Sequence, residues 1–174
     1  MLLPIGPTAA VSAPPVDAGM FEELRRQDLR IATISARLAI ANAGSCTTLD
    51  PVPGLVLHDA AQYAPEVRGD ADRHFGLNGG TGVEAVVPDS PAARAGLRQD
   101  DRIVAINGMV LPQAPPKGSA AASTAAVEQT LRRLLDALRR GPATIEVERD
   151  GQRTALALSP VAGCRSRVEL MTSD

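Results

Sequence analysis

The stretch 82-GVEAVVPDSPAARAGLRQDDRIVAINGMV-110 decides the fold. Gly82 to Val87 alternates like a strand, with Val83, Ala85 and Val87 on one face and Glu84 and Val86 on the other. Pro88-Asp89-Ser90-Pro91 breaks it. Ser90 is placed to cap a short helix whose first residue is Pro91, where a missing N–H costs nothing. Ala92 to Ala95 gives one turn, and Gly96 closes it. Leu97 returns to the core. Arg102 to Ile106 is a second strand, and Asn107-Gly108 is a tight-turn signal.

Two submotifs in this order, Ser90-Pro91-Ala92-Ala93-Arg94-Ala95-Gly96-Leu97 and Asp101-Arg102-Ile103-Val104-Ala105-Ile106-Asn107-Gly108, resemble the bacterial PDZ domain of the HtrA and site-2-protease type. Asp100 stands where such domains usually carry Gly. Asp tolerates the left-handed conformation better than most residues, so the turn survives. The competing reading is a generic β-α-β fragment without a ligand.

Working outward from this stretch, residues 17–44 read as one helix. Leu24, Ile31, Ile34, Leu38 and Ala41 recur at helical spacing, and this stripe is expected to pack on the domain. A helix that mediates oligomerisation is the alternative. Residues 45–74 are an irregular connection, with a short strand at Gly54 to His58 and helical spacing of Tyr63, Val67, Ala71 and Phe75. Pro112 to Ala122 is a loop. Ser123 or Thr124 then caps a helix to about Arg140, with Val127, Leu131, Leu134, Leu135 and Leu138 on its apolar side. Asp150-Gly151 joins two alternating runs as a type I′ hairpin. Strand, strand, long helix and hairpin complete the bacterial PDZ order, over residues 75–160. The expected fold is α+β: a partly open antiparallel β-barrel capped by two helices, with an additional N-terminal helix.

Composition narrows the function. The chain has 174 residues and a net charge of −2, with Phe21, Tyr63 and Phe75 as its only aromatic side chains. The core must be Leu, Val, Ile and Ala. No basic stripe interleaves with aromatics, so nucleic acid is not an expected partner. No run is long enough to span a membrane. Residues 1–16 are apolar but broken by four prolines and lack a basic start, so they read as a disordered or processed segment rather than an intact signal peptide. Cys46 and Cys164 flank the domain without a CxxC spacing or ligand partners. A disulfide clasping the two flanks is the expectation, two free thiols the alternative. A disulfide implies an oxidising, extracytoplasmic compartment such as the periplasm.

The PDZ resemblance implies a binding mechanism. Such domains pair an extended or C-terminal peptide with a strand edge beside the long helix, and hold the terminal carboxylate on backbone N–H groups of a φ-Gly-φ loop. Phe75-Gly76-Leu77, followed by Asn78, sits ahead of the Gly82 strand and is expected to be that loop. Val127 and Leu131 are expected to wall the pocket for the last peptide side chain; His74 lies beside the loop, and contact with the ligand carboxylate is the minor reading for it. For the tripeptide and for both helix residues the alternative is ordinary core packing.

The usual catalytic patterns are missing. His58 and His74 do not form H-E-x-x-H, and His58 reads as a surface or edge residue. There is no G-x-S-x-G nucleophile. Lys117 and Ser119 lie in an Ala-rich loop with nothing to depress a lysine pKa. Asp100-Asp101 are turn neighbours, and the Asn78–Gly82 loop lacks the Lys of a phosphate cradle. No cofactor or metal is expected. The flanks carry a looser resemblance. Arg30 to Ile34, Leu38-Ala39 through Cys46, Pro53 to Asp59, and Ala162 to Leu170 look like the N-terminal half of envelope zinc metallopeptidases that carry a PDZ module. The expectation is a non-catalytic peptide-binding module for substrate recognition or regulation in envelope proteolysis, with a protease domain as a further partner. Two alternatives stand beside it: a truncated piece of such a metallopeptidase, and an interaction domain whose groove is filled by its own chain.

Overall fold

A computed structural model describes residues 18–113 and 121–166. The 1–16 segment, Lys117, Ser119 and residues 167–174 lie outside the described residues. In chain order the elements are α1 (Ala18–Ala41), β1 (Leu49–Pro51), β2 (Leu55–Asp59), α2 (Pro65–Phe75), β3 (Thr81–Val86), α3 (Pro91–Ala95), β4 (Arg102–Ile106), β5 (Met109–Val110), α4 (Ala125–Arg139), β6 (Ala143–Arg149), β7 (Gln152–Leu158) and β8 (Ala162–Cys164). The fold is α+β. Six strands form one sheet in the order β2-β3-β4-β6-β7, with β5 on β4, and β1 pairs with β8 apart from it. Every pair is antiparallel.

Local chemistry explains the central elements. Ser90 Oγ accepts from Ala93 N at 3.2 Å, Pro91 opens α3, and Gly96 ends it at φ 86°. Asp100 takes φ 66°, the left-handed turn expected of it, and Asp150 and Gly151 both have positive φ as a type I′ turn requires. Ile145 and Val147 point into the core from β6, beside Val83, Ile103, Leu134, Leu138 and Leu158. At the start of α4 it is Ser123 whose hydroxyl accepts from Ala125 N, while Thr124 turns its own to Glu128.

The short strand expected at Gly54 to His58 is β2, which pairs with β3 from Leu55↔Val86 to Asp59↔Thr81, so part of the 45–74 connection belongs to the sheet. Two expectations are corrected. The inward face of α1 is Phe21, Arg25, Ala36 and Ala39, while Leu24, Ile34 and Leu38 are exposed. Small residues allow α1 to lie close, and Phe21 supplies the bulk by meeting Phe75, Leu77, Ala60 and Ala71 in a second apolar cluster. His58 is buried rather than at the surface.

Cys46 and Cys164 are bonded, with Cα atoms 5.5 Å apart. The bond ties the turn after α1 to the last strand, next to the β1–β8 pair, across 118 residues of chain. A Cys46→Ser/Cys164→Ser variant should lose about 2 kcal/mol of stability, through greater freedom of the unfolded chain. Urea melts of the oxidised protein and the variant measure this; equal midpoints would show that the bond adds nothing.

Candidate functional site

β2 is the edge strand of the sheet, and helices lie on both sides of it. α4 covers the core face, sending Leu134 and Leu138 inward. α1 covers the other face, where β3 presents Glu84. Between them is a hollow of ≈ 270 Å³, with Gly54 and Leu55 at the start of β2, Leu131 and Leu135 on the α4 wall, and Ala32, Ser35, Ala36 and Ala39 on the α1 wall.

The turn leading into β2 is held by the motif that decides the fold. Gly54 has φ 73°, and a Cβ there would lie 2.2 Å from Ser90 Cβ, so only glycine fits. Its carbonyl accepts from Ser90 Oγ at 3.0 Å and from Val87 N at 2.9 Å. Ala92 N donates to Pro53 O, so the first turn of α3 fixes where β2 begins. Pro51 and Pro53 have no N–H, and Val52 N donates to Val161 O. The turn therefore offers few donors to a carboxylate. At the same end Asp50 accepts from Arg139 at 3.0 Å and Arg165 at 2.7 Å, and these hydrogen bonds hold its carboxyl below the usual range.

The residues singled out from sequence do not share one site. Leu131 lines the hollow beside β2, and Val127 packs against the main core. Phe75 and Leu77 are buried in the Phe21 cluster. Gly76 is the left-handed C-cap of α2, and the N–H groups of Gly76 and Leu77 both donate to Asp72 O. A capped helix end has spent the donors that a carboxylate loop needs. Phe75, Gly76 and Asn78 instead border a separate polar hollow with Asp100, Arg102 and Glu148. His74 meets the Glu22 carboxylate at 2.9 Å, on α1. The residues missed by sequence are Gly54 and Leu55. Pro53-Gly54-Leu55 also places a glycine between apolar residues directly before a strand, and this was the available signal.

Beneath α1 lies a buried polar cluster. His58 Nδ1 is 3.3 Å from Tyr63 Oη, and Arg25 reaches Asp100 Oδ1 at 2.6 Å while its guanidinium lies over the Phe75 ring. Burial pushes the Glu84 carboxyl up to about 7, with the nearby Asp28 carboxylate adding to it and Arg25 opposing. Burial lowers His58 to about 3, so it is neutral. Among the described residues no group of three or more His, Cys, Asp and Glu could hold a metal ion, and no helix is long and apolar enough to cross a membrane.

Residues 82–122 match the PDZ domain family. No curated protein matches the chain by sequence. Among solved structures, the chain is similar to the HtrA3 PDZ domain bound to a phage-derived ligand, at 20% identity and a TM-score of 0.45, over 66% of this chain and 89% of that one. It is also similar to the HtrA-type protease AlgW with a decapeptide, at 22% identity and a TM-score of 0.46, over 69% of this chain and 31% of that one. A PDZ domain of EpsC from Vibrio cholerae matches at 22% identity and a TM-score of 0.29, over 46% of this chain and 77% of that one. The PDZ family match thus covers residues 82–122, from β3 through β5, within an α+β chain whose sheet begins at β2.

Proposed function

We propose that the chain is a non-catalytic peptide-binding module, in which an extended segment adds as a further strand to β2 between α4 and α1. The observation that carries this reading is the free edge of β2, with an apolar hollow formed by Leu55, Leu131 and Leu135 at its start. Strand addition supplies main-chain hydrogen bonds, and the hollow selects a side chain. The donor-poor Pro51–Gly54 turn favours an internal extended segment over a free C-terminus. The disulfide and the resemblance of the flanks to envelope metallopeptidases support a place in substrate recognition or regulation of extracytoplasmic proteolysis. The α1 wall favours a second reading, in which the chain's own helix limits access and the domain serves structural contacts.

A library of extended peptides with apolar anchors tests the first reading. Binders are expected to lose about tenfold or more in affinity on Leu131→Glu, since an apolar anchor contributes about 1.5–3 kcal/mol when buried. Amidating a binder's C-terminus should leave its affinity unchanged. Absence of any binder supports the self-limited groove, and a strong loss on amidation would show that a terminal carboxylate is recognised after all.

A further inference from the structure

α1 has a second apolar face that is largely exposed, with only Ile31 half-buried. Met20, Leu24, Gln27, Ile31, Ile34 and Leu38 follow one another at alternating steps of four and three, the heptad spacing of a coiled-coil seam. The seam lies about a third of a turn from the inward face of Phe21, Arg25, Ala36 and Ala39, at 3.6 residues per turn. Met20 is 50% exposed, Leu24 41%, Ile34 48% and Leu38 56%.

We propose that this seam pairs with the same seam of a second copy, antiparallel, about a two-fold axis. This inference is independent of the peptide groove. The seam is its own complement in that orientation. One axis, level with Leu29, sets Met20 against Leu38 of the partner subunit, Leu24 against Ile34 of the partner subunit, and Gln27 against Ile31 of the partner subunit. Every layer then joins the two kinds of seam position, and the lone polar residue fixes the register.

Charge chooses the same occupant and orientation. Glu23, Arg30 and Arg37 are seven residues apart and form one flank of the seam. The antiparallel pairing that aligns the apolar layers brings Glu23 near Arg37 of the partner subunit, twice by symmetry, and these two attractive contacts outnumber the single like-charged contact of Arg30 with Arg30 of the partner subunit. Glu23 is held by Arg26 and Gln27 of its own helix at the surface, so it is positioned on this flank. Ser35 on α1 lines the groove, and Leu38 and Asn42 border an adjoining hollow with Cys164 and Ser166. The pairing therefore sets the two grooves beside the interface, so that one assembly presents both.

Sedimentation equilibrium of the oxidised full chain is the test. At about 100 μM, a hundredfold above a micromolar Kd, the chain is expected to be a dimer. Leu24→Glu/Ile34→Glu should be monomeric with an unchanged circular dichroism spectrum, because both positions are exposed. Arg37→Glu, a milder surface change, should weaken association about tenfold through its two symmetric contacts, and Glu23→Arg/Arg37→Glu should restore it. Arg30→Cys, one residue from the axis, should be captured as a dimer by a short thiol cross-linker, and Ile34→Cys should not. A monomeric wild type, a dimer indifferent to Arg37→Glu, or cross-linking at Ile34→Cys in place of Arg30→Cys would overturn the proposal.

Discussion

Asp101→Ala should cost about 2–3 kcal/mol, less than the loss typical of a wholly buried ion pair because Arg149 is partly exposed. Asp101 is fully buried. Its carboxylate takes two hydrogen bonds from Arg149, at 2.6 Å to Nε and 2.7 Å to Nη2, and one from Arg98 N at 2.8 Å. Arg149 also donates to Gly96 O, so one guanidinium joins the end of β6 to the turn that closes α3. Val83 N donates to the Asp101 carbonyl and Asp100 N to the Val83 carbonyl, which registers the same turn against β3. Alanine would strand Arg149 and Arg98 N together. Asp101→Asn should recover only part of the loss, since an amide accepts one of these bonds well but cannot take a fork from Arg. Urea melts of both variants measure this. A loss below about 1 kcal/mol for alanine would mean that water replaces the carboxylate and that the turn is held by the backbone alone.

The parts of the fold that were legible in the sequence are those where one residue type answers one backbone need. Ser90-Pro91 and Gly96 delimit α3, Asp150-Gly151 makes the hairpin, and the Ile145/Val147 alternation marks the buried face of β6. α1 was harder, because it is apolar on two faces and periodicity alone cannot rank them. The large residues looked like the buried stripe, but the helix approaches the sheet through Ala36 and Ala39 and leaves Leu24, Ile34 and Leu38 outside. The hollow beside β2 was hard to find from sequence for a similar reason. Phe75-Gly76-Leu77 and Pro53-Gly54-Leu55 carry the same kind of local signal, and only the pairing of β2 with β3 tells which one precedes the edge strand. Long-range register is not encoded in either tripeptide. The buried position of Glu84 was equally hidden, because a charged residue alternating along a strand normally faces water, and here α1 covers that face.

That covered face makes the protein's stability depend on pH in two opposing ways. Glu84, raised from 4.5 to about 7, binds a proton more readily in the folded state than in the unfolded chain. Its contribution is fully present below about pH 4.5 and is lost as pH rises through 7. Asp28 on α1, raised mainly by burial and hydrogen-bonded to Glu84, acts in the same direction. His58, lowered by burial from 6.5 to about 3, does the reverse: its contribution is complete above 6.5 and is lost as pH falls towards 3. Between 4.5 and 6.5 the two nearly cancel, so the wild type should show a shallow profile there. Removing one side exposes the other. Glu84→Gln keeps the shape and an N–H donor for the Asp28 carboxylate, as the protonated acid does, but cannot ionise. The interval from 4.5 to about 7 corresponds to about 3 kcal/mol at 1.36 kcal/mol per pH unit. The variant should therefore match wild type near pH 4.5 and exceed it by about 2–3 kcal/mol at pH 8. The gain should fall on the docking of α1, because the charge it removes sits between α1 and β3. Urea melts at pH 4.5, 6 and 8, with hydrogen exchange on α1 at the highest pH, measure both parts. A constant difference at all three values would mean that Glu84 is solvated well enough to ionise as in the unfolded chain, and that α1 is held down without regard to its charge.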